Sequence, residues 1–118
     1  NDSGQWLDAL RKYLWENYEY LCHFFEEHLP QYSVLPLEGT YLVWIDCRAS
    51  GIGSDAITLR LQKEQKLLVN SGTMYGPGGE GFIRLNIACP RILLADGLER
   101  ILKYIRKHMR LLPHGKIR

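Results

Sequence analysis

The chain is 118 residues long, 46% hydrophobic, and carries 15 Lys plus Arg against 13 Asp plus Glu for a formal net charge of +2. That is one domain's worth of globular protein, able to bury roughly 65% of the surface its unfolded form exposes, so folding requires neither a metal nor a disulfide staple. The composition excludes a disordered chain, and the longest apolar runs, such as Tyr41-Leu42-Val43-Trp44-Ile45, fall far short of the ~20 residues that cross a bilayer.

The opening Asn1-Asp2-Ser3-Gly4 is not a charged-then-apolar leader, and the chain is expected to be cut from a longer protein. Trp6, Leu10, Tyr13, Leu14, Asn17, Leu21, Phe24, Phe25 and His28 then recur at steps of three and four, an apolar helical stripe with Asn17 as its polar interruption. The helix should end before Pro30. After a connector punctuated by Pro30 and Pro36, Thr40 to Cys47 is rich in β-branched and aromatic residues and reads as a strand with both faces largely covered. Ser54 and Asp55 offer an N-cap and a first-turn anion for a second helix ending near Leu68, with Ile57, Leu61 and Leu68 inward.

Leu67 to Asn70 reads as a short extended segment, followed by a loop with five glycines between positions 72 and 81. Phe82 to Ala88 alternates, with Ile83, Leu85 and Ile87 on one face and Arg84 and Asn86 on the other, as a strand with one polar face does. Pro90 suits the start of a last helix, whose stripe is Leu94, Leu98, Ile101, Ile105 and Met109. The order α-β-α-β-β-α implies an α+β fold of two layers, three long helices covering one face of a small, mainly antiparallel sheet in a single domain, residues 1–118.

Charge and chemistry are sparse. Residues 100–118 hold seven basic side chains and no acid, which the negative end of the last helix accounts for better than nucleic acid or membrane binding does. Cys22, Cys47 and Cys89 match neither a disulfide framework nor a zinc knuckle and read as reduced, mostly buried thiols of a cytoplasmic protein. His23 and His28 lie five apart, not four, so no helical metal site is expected. Gly76-Pro77-Gly78-Gly79-Glu80-Gly81 satisfies a dinucleotide fingerprint only superficially, because it opens a strand where that motif opens a helix. Arg84 stands out: a guanidinium on a polar strand face just after a glycine loop suits a carboxylate, the alternative being an ion pair with Asp46 or Glu80. No catalytic set is complete.

Three separated motifs nevertheless assemble: Glu38-Gly39-Thr40-Tyr41-Leu42-Val43-Trp44-Ile45-Asp46, then Asn70-Ser71-Gly72-Thr73-Met74-Tyr75-Gly76, then Gly79-Glu80-Gly81-Phe82-Ile83-Arg84-Leu85-Asn86-Ile87-Ala88-Cys89-Pro90. Together they resemble the C-terminal part of class I/II, fold-type I pyridoxal-phosphate enzymes, with the MalY/PatB-type cystathionine β-lyases nearest and aminotransferases as kin. The resemblance runs from about Trp6 to Arg106.

It implies the small domain that closes over an amino-acid substrate, with Arg84 binding the substrate's α-carboxylate and Gly72, Tyr75 and Gly76 in the loop at the active-site mouth. Ser71 stands where the family usually has proline, a change expected to loosen the loop. The resemblance places the cofactor-bearing lysine and the acid facing the pyridine nitrogen upstream of this chain. Pyridoxal phosphate is therefore expected in a full-length parent and not on this piece, which should hold no catalytic residue and be inactive alone. Its partners would be the large domain of the same chain, the substrate and, in a homodimeric parent, a second copy. Some apolar surface should be bare. A β-lyase would release a thiol, pyruvate and ammonia, an aminotransferase would move the amino group, and a stand-alone α+β binding module is the alternative from a different class.

Overall fold

The computed structural model describes residues 2–37, 39, 41–64 and 69–110. In chain order these form α1 (Asp2–His28), β1 (Ser33–Val34), β2 (Leu42–Asp46), α2 (Ser54–Glu64), β3 (Val69–Ser71), β4 (Phe82–Asn86) and α3 (Arg91–Arg110). The strands make a four-stranded sheet in the order β1-β2-β4-β3, with every pairing antiparallel. The two-residue β1 falls within the expected connector, where Pro30 and Pro36 leave room for only a short pairing. Leu35 N–H extends that pairing by donating to Trp44 O at 2.9 Å.

Alternation decides what each face of the sheet meets. Val43, Ile45, Ile83, Leu85 and Ile87 are fully buried on one face and join Leu21, Phe24 and Phe25 of α1, Ile57 of α2, and Leu94, Leu98, Ile101 and Ile105 of α3 in one core. Each such aliphatic side chain contributes about 1.5–3 kcal/mol on burial, enough to fix which way the strands face. Leu42, Trp44, Asp46, Phe82, Arg84 and Asn86 lie on the opposite face and are half-buried. Among the described residues β2 is therefore fully buried on one side and half-buried on the other, where Trp44 and Leu42 supply its apolar content. Leu61 and Met109 of the expected stripes, and Thr40, Leu67 and Leu68 of the expected element ends, lie outside the described side chains or residues.

The stripe of α1 is only partly core. Leu14, Leu21, Phe24 and Phe25 are buried, but Trp6 is 67% exposed and Leu7, Leu10, Tyr13 and Trp15 are exposed too. A helix of 27 residues is about 40 Å long, more than the sheet can cover, so its first turns run past the core. Among the described residues no helix is long and apolar enough to cross a membrane.

Asn17, the polar break in the stripe, is fully buried and fully used. Its amide nitrogen donates to Ile87 O at 2.9 Å and Cys89 O at 3.0 Å, while its oxygen accepts from Arg91 Nε at 2.6 Å. Tyr13 adds to the same junction: its hydroxyl oxygen accepts from Arg91 N–H at 2.7 Å, and its ring lies 5.1 Å below the Arg91 guanidinium carbon. One side chain thus joins α1 to the exit of β4 and the start of α3. Asn17→Leu should cost about 2–3 kcal/mol, because one buried and one part-buried carbonyl and a guanidinium N–H lose their partner at once. Urea unfolding of the two proteins checks it, and a midpoint unchanged by the substitution would reject the clamp.

Candidate functional site

The polar face of the sheet is organised by the register of β2 against β4. Trp44 stands opposite Arg84 and Asp46 opposite Phe82, while Asn70 of β3 is the partner of Arg84 on its other side. Arg84 is half-buried, with its guanidinium carbon 6.0 Å from the centre of the Trp44 ring. A cation held over an indole keeps its charge and its flat fork while its stem is packed.

Next to this pair, Arg48 follows β2 in a single 3-10 turn, Arg48–Ser50. Its Nε donates to Asp46 Oδ1 at 2.9 Å, its Nη2 to Oδ2 at 2.8 Å, and its backbone N–H to Oδ1 at 3.0 Å. The Arg48 guanidinium also lies 4.9 Å from the centre of the Phe82 ring. Arg48 holds the Asp46 carboxyl below the usual aspartate range, chiefly through these side-chain hydrogen bonds. Asp46 thus does pair with an arginine, but the fork belongs to Arg48, a partner that was not expected from the sequence. The signal was present: an aspartate two residues before an arginine at a strand end is the spacing at which a tight turn brings both together.

The glycine loop forms two short 3-10 turns, Gly72–Tyr75 and Pro77–Gly79, and leads directly into β4, so no helix follows that could receive a dinucleotide. Backbone crosses backbone there. A Cβ on Gly72 would strike the Gly79 carbonyl, and one on Gly79 would strike that of Gly72. Gly72, Tyr75 and Gly76 follow directly on the end of β3, the strand that borders Arg84.

Ser71 is tied into this loop by its hydroxyl. It is buried, and its hydroxyl lies 2.9 Å from Ser54 Oγ and 3.0 Å from Thr73 Oγ1, while Thr73 Oγ1 donates to Asp55 Oδ1 at 2.7 Å. Each hydroxyl has one hydrogen, so the order is set: Ser54 donates to Ser71, Ser71 to Thr73, and Thr73 to the carboxylate. Ser54 Oγ in turn accepts the Gly81 N–H at 3.2 Å. Ser54 is accordingly not the cap of α2: the Gly53 carbonyl accepts the first helical N–H groups, from Ala56 and Ile57, and the Ser54 hydroxyl ties the loop to the helix.

The remaining titratable groups lie elsewhere. Cys47 is fully buried, Cys22 and Cys89 are partly buried, and all three thiols are free. Burial raises each above the ordinary thiol value, most strongly for Cys47, which makes them poor nucleophiles. Among the described residues no cluster of His, Cys, Asp and Glu could hold a metal. A cavity of about 240 Å³ between the end of α1 and β1 is lined by Cys22, Phe25, Glu26, Pro30, Tyr32 and Val34, none of them on the polar face.

No family model matches the chain. It is 40% identical over 98 residues to the cystathionine β-lyase PatB of Bacillus subtilis, covering 83% of this chain and 25% of that protein. It is 37% identical over 101 residues to the protein MalY of Escherichia coli, covering 86% of this chain and 26% of that one. The chain is homologous to a C-terminal part of the PatB/MalY cystathionine β-lyases. The crystal structure of cystalysin from Treponema denticola, which contains a pyridoxal 5'-phosphate cofactor, superposes with a TM-score of 0.78 at 33% identity over 90% of this chain and 27% of its own. The PatB/MalY resemblance therefore holds in sequence and in fold, over about a quarter of the length of the curated relatives.

The loop network yields a titration with a fixed sign. The Ser71 and Thr73 hydroxyls lower the Asp55 pKa, so its contribution to stability is in place above the unfolded value of about 3.9 and fades as pH falls through the folded value. Thr73→Val should move the Asp55 midpoint back up toward that ordinary value in a carbon-detected carboxyl titration. An unmoved midpoint would contradict the hydroxyl chain.

Proposed function

We propose that this chain is the C-terminal, substrate-closing part of a pyridoxal-phosphate enzyme acting on amino acids, a C–S β-lyase of the cystathionine type in preference to an aminotransferase, with Arg84 receiving the substrate's α-carboxylate. The observation that carries the reading is Arg84 on the polar sheet face, its guanidinium carbon 6.0 Å from the centre of the Trp44 ring and its strand bordered by the one that enters the glycine loop. A planar fork of that kind pairs bidentately with a carboxylate. The similarity to PatB, a cystathionine β-lyase, supports the lyase branch.

The cofactor does not fit this chain by itself. Pyridoxal phosphate supplies an electron sink for a bond broken at the amino acid's α-carbon, and it needs a protein amine to hold it. Among the described side chains the polar face offers Trp44, Asp46, Phe82, Arg84 and Asn86 but no lysine, while Lys12, Lys103 and Lys107 are exposed on α1 and α3, the helices that cover the other face. The amine and the phosphate cradle belong, on this reading, to a large domain preceding this chain. The exposed Trp6, Leu7, Leu10 and Tyr13 on α1 support it, being apolar surface that a larger protein would cover. What remains for this chain is to orient the carboxylate, exclude water from one side of the substrate and close the mouth. The same reading takes the parent as a cytoplasmic homodimer, which sedimentation and cell fractionation test.

The decisive experiment adds pyridoxal phosphate and L-cystathionine to the full-length protein. A bound chromophore with pyruvate release establishes the lyase, chromophore with amino transfer to a keto acid and no pyruvate establishes the aminotransferase, and no chromophore overturns both in favour of a binding module. In the active parent, Arg84→Ala should lower kcat/KM by about 100-fold or more with the cofactor absorbance intact. Unchanged kinetics would remove Arg84 from the site.

A further inference from the structure

A single hydroxyl group grips the glycine loop at both of its ends. Ser54 Oγ accepts the N–H of Gly81, the residue just before β4, at 3.2 Å, and lies 2.9 Å from the hydroxyl of Ser71, the last residue of β3. Everything between, residues 72–80, is the loop. Ser54 is fully buried at the start of α2, yet its hydroxyl is not spent on its own helix, whose first N–H groups go to the Gly53 carbonyl. A buried hydroxyl is costly unless it is hydrogen-bonded, and here the bonds that offset its burial both go to the loop's ends.

We infer that Ser54 is a positioning residue that fixes the glycine loop and the start of β4 on α2 as one body, and so holds Arg84 in place for the substrate's carboxylate. The inference rests on the role proposed for Arg84 and extends it to a residue of α2. Gly81 is held through both of its backbone groups, its N–H by Ser54 and its carbonyl by the N–H of Cys47 at 2.7 Å. On the other side, Ser71 is the register partner of Ile83, the residue next to Arg84 in β4. The two residues that Ser54 grips therefore fix the entry of β4 and the strand paired beside it. Ser54 is itself anchored within α2, where its carbonyl accepts Thr58 Oγ1 at 2.8 Å. Removing the Ser54 hydroxyl would leave the Gly81 N–H without its acceptor and release Ser71, uncoupling α2 from both ends of the loop at once.

The test uses the full-length holoenzyme as wild type, Ser54→Ala, Ser71→Ala, Arg84→Ala and each serine variant combined with Arg84→Ala. All are assayed well below their thermal midpoints, so that lowered stability alone does not lower activity, and cofactor absorbance reports folding. Ser54→Ala should lower kcat/KM about tenfold, chiefly by raising KM, because a carboxylate anchor held less precisely binds the substrate less well. Ser71→Ala cuts the same connection at the other end of the loop, should act in the same direction, and carries the test if Ser54→Ala fails to fold. In the Arg84→Ala background the effect of either serine variant should shrink below about twofold, since a residue that acts through the arginine then has nothing to position. A lowered thermal midpoint with unchanged kinetics in Ser54→Ala, or in Ser71→Ala where it stands in, overturns the positioning role. A loss equally large without Arg84 overturns it as well. Normal kinetics in Arg84→Ala would instead overturn the carboxylate assignment on which the inference rests.

Discussion

The antiparallel register of β2 on β4 is the constraint from which both the core and the candidate site follow. Trp44 faces Arg84 and Asp46 faces Phe82 only in this alignment, and the same alignment puts Val43, Ile45, Ile83 and Leu85 beneath the helices. A slip of one residue in β4 would turn Arg84 into the apolar layer and bring Ile83 and Leu85 out to water. The loss would be several buried aliphatic side chains plus a desolvated guanidinium, so the alignment that builds the core also presents the arginine. Each end of the pairing is pinned by a bond outside the strands. Cys47 N–H donates to Gly81 O at 2.7 Å at one end, and Ile87 N–H donates to Tyr41 O at 2.9 Å at the other.

These pins connect the site to parts of the molecule that never approach it. Asn17 takes the carbonyl of Ile87, the residue that closes the pairing, and so fixes where β4 leaves the sheet. The Ser54 hydroxyl takes the N–H of Gly81, the residue whose carbonyl closes the other end. A helix on either side thus holds one terminus of the strand that carries Arg84. Stability and function are coupled here through geometry: loosening either contact would blur the position of Arg84 without touching its charge.

How legible this was in the sequence varied with the range of the interaction. The helices, the strands Leu42–Asp46 and Phe82–Asn86, the two-layer packing and the candidacy of Arg84 could all be read from periodicity, because alternation and the helical stripe are local signals of burial. Asn17 could be seen only as an interruption, since its partners lie 70 residues and more along the chain and no local pattern announces them. The cap of α2 was misread for a related reason: Ser54 has the chemistry of a cap, but a hydroxyl 17 residues away in Ser71 competes for it. The exposed first turns of α1 escaped because an apolar stripe says that a helix face is covered and not by what. Trp44 was counted toward a covered strand for the same reason, its ring being apolar and its neighbour on the face a cation.

The glycine loop shows how a motif can be recognised for reasons distinct from its chemistry. Gly72 and Gly79 are required because two backbone segments cross with no room for a side chain. Gly81 is required because Arg48 lies against it and because of its positive φ. These three glycines are explained without a ligand, and the serine that replaces the expected proline is explained by the hydroxyl chain that ends at Asp55. The loop is thus best understood as a rigid abutment, and the chemical specificity of the face is left to its charges.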